Sequence, residues 1–305
     1  MEKLSAKIFR YDPTTDDSHR YETFEVPCEK GMRVLDVLMY IQENFDTSLA
    51  FRYSCRRARC GSCAVVVNGK PEPACLGEAK KNMVIEPLPN LPIIRDLVVR
   101  TDEYEERIQD INPYLVRTKQ PELKPEKLLS SDFTQVMPLN ECIECFSCVS
   151  ACPVNGIKWK GFLGPTTLVQ LSRRLLDPRD DRDRIQDALR TGFENCVSCY
   201  MCVNTCPVEI GILDGAIENI KKNYIEKRQQ DDYSKYNNAW KNIVIKNGIV
   251  NPFILMRRIL KINTLLKNIV TGIKFFLKGR ISLSSKRIPN IEEIRKIEKV
   301  IGEKR

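Results

Sequence analysis

The chain has 305 residues with 49 basic and 40 acidic side chains, and its 13 cysteines far exceed ordinary usage. This length suits two domains, and the cysteines indicate a disulfide scaffold, zinc sites or iron–sulfur clusters. Met1–Arg10 lacks the apolar run of a secretory signal peptide, and no stretch reaches the roughly 18 apolar residues of a membrane-spanning helix. We therefore expect free thiolates in a reducing compartment and a chain that does not itself cross a membrane. The one histidine, His19, lies far from the cysteine groups, which disfavours His-containing zinc, haem and Rieske sites.

Residues 1–100 predict a small domain that combines strands with one helix. Asn68-Gly69 is a hairpin turn signal. Apolar side chains recur at helical spacing at Val34, Leu35, Leu38, Ile41 and Phe45. The strand-like runs are Ala6–Phe9, Phe24–Val26, Ala64–Val67 and Met83–Glu86.

The first cysteine group has the spacing C-x4-C-x2-C followed by a distant fourth cysteine, which is the plant-type spacing of a [2Fe-2S] cluster. Its members are Cys55, Cys60, Cys63 and Cys75. Three of these ligands come from one tight loop, for which Gly61 provides a small residue. Positive charge and backbone amides in the same loop would offset the anionic cluster, although a solvated basic loop is the alternative for each arginine. These arginines are Arg56, Arg57 and Arg59.

Prolines punctuate the chain at residues 87–92 and 113–125, and we place an interdomain linker at residues 101–125. Residues 126–230 show little alternation but several helical stretches, such as Leu168–Leu176 and Ile212–Ile220. This segment is therefore predicted to be a helical domain.

Two further cysteine groups in that domain each have the spacing C-x2-C-x2-C-x3-C-P. In this bacterial two-cluster pattern, three cysteines of a run hold one cluster and the fourth reaches across to the other. One [4Fe-4S] cluster is thus assigned to Cys142, Cys145, Cys148 and Cys206. A second cubane is assigned to Cys152, Cys196, Cys199 and Cys202. Structural zinc, which uses paired C-x2-C units, is the alternative, and Cys28 is left over as an expected inert buried thiol.

Residues 231–305 are predicted to form a basic helical extension. Residues 221–305 carry 21 basic and 7 acidic side chains, so the positive charge of the chain is concentrated there. A basic amphipathic helix is indicated by apolar residues at three- and four-residue steps from Ile259 to Phe276, with lysines and arginines between them. We rank contact with another subunit first, an anionic membrane surface second and nucleic acid third as its partner.

From about Lys3 to Lys222 the chain resembles the iron–sulfur subunit of succinate dehydrogenase and fumarate reductase. The resemblance is carried by SCRRARCGSCAVVVNG at 54–69, IIRDLVV at 93–99, FLGPTTLVQLSRRLLDPRDDR at 162–182 and CPVEIGILDGAIENIK at 206–221. It implies an α+β fold, with a β-grasp [2Fe-2S] ferredoxin-like domain, an α-helical two-cluster ferredoxin domain and the basic extension.

The resemblance also implies a function as part of respiratory complex II. Electrons would pass from an FAD-containing subunit through the Cys55, Cys142 and Cys152 clusters to a membrane-associated acceptor and quinone, while succinate is oxidised on the flavoprotein. No catalytic residue is expected in this chain, which would lie peripherally at the cytoplasmic face of the membrane.

Two departures from the usual family pattern stand out. The residue matching Cys199 is not usually cysteine and the third centre is then [3Fe-4S], so the full set here predicts [4Fe-4S], with [3Fe-4S] as the alternative. The usual quinone-binding aromatic run and histidine are replaced by residues 154–157 (Val-Asn-Gly-Ile) and Val197, which leaves Trp159 as the nearby substitute. The tail resembles small heterodisulfide reductase subunits, and these features together indicate the variant archaeal-type class with a CCG-type partner subunit.

Two rival functions remain at this point. The iron–sulfur subunit of a heterodisulfide- or thiol-coupled fumarate reductase would share every ligand. A zinc-stapled interaction module that binds nucleic acid through its basic tail belongs to a different class, and metal analysis separates it from the others.

Overall fold

A computed structural model describes residues 3–118, 126, 129–157, 161–228, 231–259, 269–279 and 287–303. The chain divides into two compact units, Met1–Lys222 and Asn223–Arg305. All three cysteine groups lie in the first unit.

The N-terminal part of the first unit is built on a mixed five-stranded sheet with the strand order β2-β1-β5-β3-β4. The parallel pair is β1 and β5, and the other neighbours are antiparallel. The strands are β1 (Lys3–Arg10), β2 (Arg20–Pro27), β3 (Ala64–Val67), β4 (Lys70–Pro73) and β5 (Asn82–Glu86). A separate two-stranded sheet pairs β6 (Ile93–Arg95) with β7 (Val98–Val99).

One face of the large sheet and helix α1 (Val34–Asn44) share a hydrophobic core. Strand β1 alternates, so Leu4, Ala6 and Ile8 are fully buried. The buried side chains of α1 are Val34, Leu35, Val37, Leu38 and Ile41. The helix and the strand-like runs predicted from periodicity are confirmed.

The rest of the first unit is helical. Its helices are α2 (Asp102–Asp110), α3 (Ser130–Phe133), α4 (Met137–Asn140), α5 (Ser147–Ser150), α6 (Pro153–Gly156), α7 (Pro165–Leu175), α8 (Arg184–Thr191) and α9 (Met201–Thr205). A 3-10 turn (Phe193–Asn195) precedes α9, and a π-helical segment (Ile212–Ile217) runs directly into α10 (Glu218–Lys227). The predicted α+β fold class is confirmed.

Helix α2 lies inside the segment that was predicted as a linker. Its Tyr104 and Ile108 are buried, and the Tyr104 ring lies 5.9 Å from that of Phe146. The Asn155 side-chain amide also donates to the Tyr104 hydroxyl at 2.6 Å. Helix α2 is therefore packed against the helical part of the first unit, and the assignment of residues 101–125 as a linker stays a prediction.

A buried arginine fixes the chain that follows α2. The Arg184 guanidinium donates to the backbone carbonyls of Ile111, Asn112 and Tyr114 at 2.7–3.0 Å. It is 1% exposed and pairs with the equally buried Asp180 at 2.6 Å. Removing one partner of such a pair would leave an uncompensated buried charge. We therefore expect the Arg184–Asp180 pair to be essential for the structure of the helical part.

The second unit contains helices α11 (Asp232–Asn247), α12 (Pro252–Ile259), α13 (Ile269–Leu277) and α14 (Ile291–Glu303) among its described residues. Helix α11 contacts α12 and α14 around the buried Ala239, Ile243 and Ile291. The predicted amphipathic helix is helical where it is described, up to Ile259 and again from Ile269, while residues 260–268 lie outside the described ranges.

Candidate metal centres

The first cysteine group is gathered at one end of the sheet by the loop between α1 and β3. Cys55 and Cys60 lie in that loop, Cys63 immediately precedes β3, and Cys75 follows β4. Backbone amides point at two of the sulfurs: Arg57 N and Arg59 N lie 3.4 and 3.3 Å from Cys55 Sγ, and Ala58 N lies 3.3 Å from Cys75 Sγ. Such N–H groups stabilise negative charge on sulfur.

The protonation of the first group differs from one cysteine to the next. Burial raises the pKa of the Cys63 thiol to about 12. Partial burial opposes ionisation of Cys60 as well, but hydrogen bonds from Ser62 and Cys55 outweigh it and lower the Cys60 pKa to about 6. A buried thiol becomes a thiolate readily only when a metal replaces its proton.

The three arginines of this loop are exposed, and Arg57 and Arg59 approach the sulfur of Cys55 through their backbone amides. The Arg56 guanidinium lies 5.2 Å from the centre of the Tyr53 ring. The Arg59 guanidinium pairs with Glu141 at 3.1 Å, and Glu141 directly precedes the second group. Arg57 is exposed at the surface.

The structure sorts the eight remaining cysteines of the motifs into two sets. One cavity is lined by Cys142, Cys145, Cys148 and Cys206. A second cavity is lined by Cys152, Cys196, Cys199 and Cys202. The fourth cysteine of each run therefore lies with the first three of the other, as the crossed pattern predicts.

The two cysteine runs repeat the same backbone path. Glu144 and Phe146 in the first run have φ values of 51° and 59°, and Ser198 and Tyr200 at the matching positions in the second run have 53° and 63°. Left-handed conformations of non-glycine residues are strained and cluster at functional sites. Phe146 and Tyr200 each precede a short helix, α5 and α9, and these turns direct the cysteines inward.

Two cysteines of each set are buried: Cys145 and Cys148 in the first, and Cys152 and Cys202 in the second. Burial raises the pKa of the Cys142 thiol to about 11 and that of Cys202 to about 12. Burial likewise raises the pKa values of Cys145, Cys148 and Cys152. Cys199 is the exposed member of the third group. Sets of four soft thiolates suit iron–sulfur clusters, so both cysteine sets fit such clusters.

Across the described residues, no three His, Cys, Asp or Glu side chains converge on a point that would suit a single metal ion.

Two hydroxyl groups that the sequence analysis did not single out lie at the second group. Thr166 Oγ1 is 3.1 Å from Cys148 Sγ, and Ser147 Oγ is 3.4 Å from Cys145 Sγ. Hydroxyl donors at cluster sulfurs tune reduction potential. Thr166 belongs to the FLGPTTLVQL segment, but nothing in that segment identifies which of its two threonines faces the cysteine.

A polar network, also unforeseen, adjoins the third group. Lys221 Nζ donates to Ser198 Oγ at 2.9 Å and to Glu218 Oε1 at 3.0 Å. Ser198 lies between Cys196 and Cys199, so the ammonium group is held beside the ligand loop. Ile157 and Val197 are 68% and 65% exposed, and Trp159 lies outside the described residues.

The leftover thiol, Cys28, is partly buried against the core of the sheet. His19 stacks on Phe9 with ring centres 4.9 Å apart, away from the cysteine groups. Within the described ranges, no helix combines the length and hydropathy that crossing a bilayer requires.

The first two cysteine groups meet backbone to backbone. Gly61 has a φ of 69°, and a Cβ atom added to it would lie 2.3 Å from Ile143 O and 2.9 Å from Cys145 Cα. A side chain at Gly61 is therefore disfavoured twice, by the φ angle of its own loop and by the backbone of the second cysteine group.

Comparisons with known proteins agree with this arrangement. Residues 5–106 match the family model of the 2Fe-2S iron-sulfur cluster binding domain, and residues 141–210 match that of the 4Fe-4S dicluster domain. The chain is thus an iron–sulfur protein with these two domains in sequence. The fumarate reductase iron-sulfur subunit of Haemophilus influenzae is 34% identical over 240 residues, 72% of this chain and 93% of that protein. The chain belongs to the family of succinate dehydrogenase and fumarate reductase iron–sulfur subunits.

Two other similarities define how far the likeness extends. A fumarate reductase (CoM/CoB) subunit of Methanothermobacter marburgensis is 35% identical over 220 residues, 72% of this chain and 44% of that protein. The chain spans about half the length of this and other curated relatives that it matches. A chain of the Mycobacterium smegmatis Sdh1 complex in the apo form shares the fold, with a TM-score of 0.67 and 24% identity over 75% of this chain and 98% of that chain.

Proposed function

We propose that this chain is the electron-transfer subunit of a succinate dehydrogenase, which connects an FAD-containing subunit to a membrane-associated acceptor subunit and quinone. The observation that carries the proposal is the gathering of twelve motif cysteines into three sets along one compact unit. When bound, iron–sulfur clusters supply one-electron carriers whose potentials depend on ligation, burial and hydrogen bonding. The chain itself needs no general acid or base.

Each set of cysteines is assigned one cluster in this proposal. Cys55, Cys60, Cys63 and Cys75 would hold [2Fe-2S]. Cys142, Cys145, Cys148 and Cys206 would hold [4Fe-4S]. Cys152, Cys196, Cys199 and Cys202 would hold a second [4Fe-4S], because Cys199 lines the same cavity as the other three.

The chain's own residues would shield and tune these centres. The amides of residues 57–59 donate toward the sulfurs of Cys55 and Cys75. The second and third groups line mostly apolar cavities, and such surroundings would limit solvent access and so tune the potentials of the centres.

The partners follow from what each end of the unit exposes. The exposed basic loop around Arg57 would face the flavoprotein. Ile157, Val197 and Met201 are exposed apolar residues near cysteines of the third group in sequence, and they would face a CCG-type acceptor subunit. The basic second unit would assist peripheral attachment to that acceptor at the cytoplasmic face of the membrane.

The test is to purify the full chain anaerobically with its partners and to measure iron, acid-labile sulfide, zinc and succinate-dependent dye reduction. We expect iron with sulfide, and succinate activity that requires the flavoprotein. Zinc without sulfide would instead support the interaction module, and iron with sulfide but no succinate activity would refute the succinate assignment.

A thiol-coupled fumarate reductase is the second candidate, favoured by the 35% identity to the fumarate reductase (CoM/CoB) subunit of Methanothermobacter marburgensis. It shares every cluster ligand with the first. Fumarate-dependent oxidation of the thiols CoM and CoB by the purified complex, in place of succinate-dependent dye reduction, would establish it.

A further inference from the structure

Gly61 stands out because its surroundings come from a different part of the chain. It follows Cys60 in the first ligand loop, yet the atoms closest to its missing side chain are the Ile143 carbonyl oxygen and the Cys145 backbone of the second ligand loop. These loops are about eighty residues apart in sequence, so the contact is a product of tertiary packing.

Two separate constraints act on Gly61. Its φ of 69° is costly for a residue with a side chain. In addition, a Cβ atom would lie 2.3 Å from Ile143 O, closer than nonbonded atoms approach. Gly69, in the exposed hairpin between β3 and β4, has a similar φ of 80° but no atom within 4 Å of an added Cβ. The chain therefore contains a glycine that carries the first constraint without the second.

We propose that Gly61 is a positioning residue that keeps the first and second ligand loops in backbone contact and thereby sets the separation of the two clusters. This inference rests on the proposed function. In each transfer one electron leaves the first centre and one enters the second, so no other reactant is required. Transfer between centres weakens steeply with distance, and direct loop contact makes the separation as short as the backbones permit.

The effect of a side chain at this position should be local. Away from the two loops, the Asn90 side-chain amide donates to Ser150 O at 2.7 Å and joins the same two parts of the first unit. The exposed Arg59–Glu141 pair adds little to the contact. A Cβ on Gly61 would therefore push apart the two ligand loops while the rest of the unit stays assembled.

The experiment uses the full chain, purified anaerobically, after iron and acid-labile sulfide have been measured. If these are absent, the proposed function itself fails and is identified as the failure. With clusters present, we would record the electron paramagnetic resonance relaxation of the reduced [2Fe-2S] centre while the [4Fe-4S] centre is oxidised and then reduced. Marked acceleration of relaxation in the wild type is expected, and its absence would overturn the proposal.

Gly61→Ala and Gly69→Ala are then compared under the same conditions. We expect G61A to keep the g values of both centres but to lose much of the relaxation enhancement, while G69A retains that of the wild type. Equal enhancement in the two variants would show that Gly61 does not set the separation.

A second measurement applies if G61A fails to hold the first cluster. Hydrogen exchange of peptides covering residues 141–146 is compared between G61A and Cys60→Ser, which disturbs the same cluster without adding a Cβ at the contact. Faster exchange in G61A than in C60S supports displacement of the second loop by the added side chain. Equal exchange overturns the inference.

Discussion

Thr166→Val should lower the reduction potential of the centre held by the second cysteine group. Thr166 is 1% exposed, and its hydroxyl oxygen lies 3.1 Å from Cys148 Sγ. A ligating thiolate has no proton, so the hydroxyl must be the donor. Reduction adds negative charge that the sulfurs share, and a donor stabilises the reduced state more than the oxidised one. Valine keeps the shape of threonine but removes this donor.

The size of the shift follows from the strength of one hydrogen bond. If the hydroxyl favours the reduced state by about 1 kcal/mol, the potential falls by roughly 40 mV, because a one-electron couple changes by about 59 mV for each tenfold change in equilibrium constant. The measurement is a potentiometric titration of the [4Fe-4S] signal in the anaerobic full-chain protein.

The neighbouring Thr167 provides a matched control. It is fully buried on the same helix, but its hydroxyl donates to Leu163 O at 3.1 Å rather than to sulfur. Thr167→Val should therefore leave the potential unchanged. An equal shift in both variants, no shift in T166V, or an upward shift would refute the reasoning.

The remaining predictions concern the third group and the sheet. Cys199→Ala should convert the third centre to one with a [3Fe-4S] signal in the oxidised protein; the same signal in the wild type would mean that Cys199 is not a ligand. Lys221→Gln should lower the third centre's potential in a redox titration, because it removes a cation held at Ser198, whereas the exposed Lys222→Gln should not. A hydrogen bond from the Ser48 side chain and a second one from Arg10 lower the pKa of Asp46 to about 2. That stabilisation is present above the unfolded pKa of about 4 and is lost as the pH falls toward 2. Asp46→Asn should therefore lower the free energy of unfolding, measured anaerobically with denaturant, by the same amount at every pH from about 5 to 8. A loss of free energy that varies with pH in this range would contradict the assignment.

The cysteine sets could be inferred from sequence because ligand spacing is a chemical requirement that acts locally. Three thiols of a run must reach one cluster, and the C-x2-C-x2-C-x3-C-P pattern states which fourth thiol crosses. The structure gathers the thiols in those sets, with Cys206 beside the first run and Cys152 beside the second. Periodicity likewise predicted the strands and α1, because burial of one face dictates it.

Side chains that modify the centres could not be inferred in this way. Thr166 and Thr167 are adjacent, and only the rotation of α7 determines which hydroxyl meets a sulfur. Lys221, which contacts Ser198, follows the π-helical segment Ile212–Ile217, and the wider turn of that segment breaks the ordinary helical spacing. Helix α2 was not predicted because it lies between two proline-rich segments, although the four-residue spacing of Tyr104 and Ile108 indicates a buried helical face.

The two parts of the first unit differ in what holds them together. The sheet and α1 share a continuous hydrophobic core, which includes Leu4, Leu38 and Ile85. Around the second and third groups, α4, α5, α6 and α9 have only four or five residues each, whereas isolated helices need about 12–15 residues even for marginal stability. Helices α5 and α9 also begin at left-handed turns and contain the buried thiols of Cys148 and Cys202, whose pKa values are raised by burial. Ligation of a cluster would replace the proton of each thiol and tie the short helices together, so folding of this part is expected to depend on cluster binding.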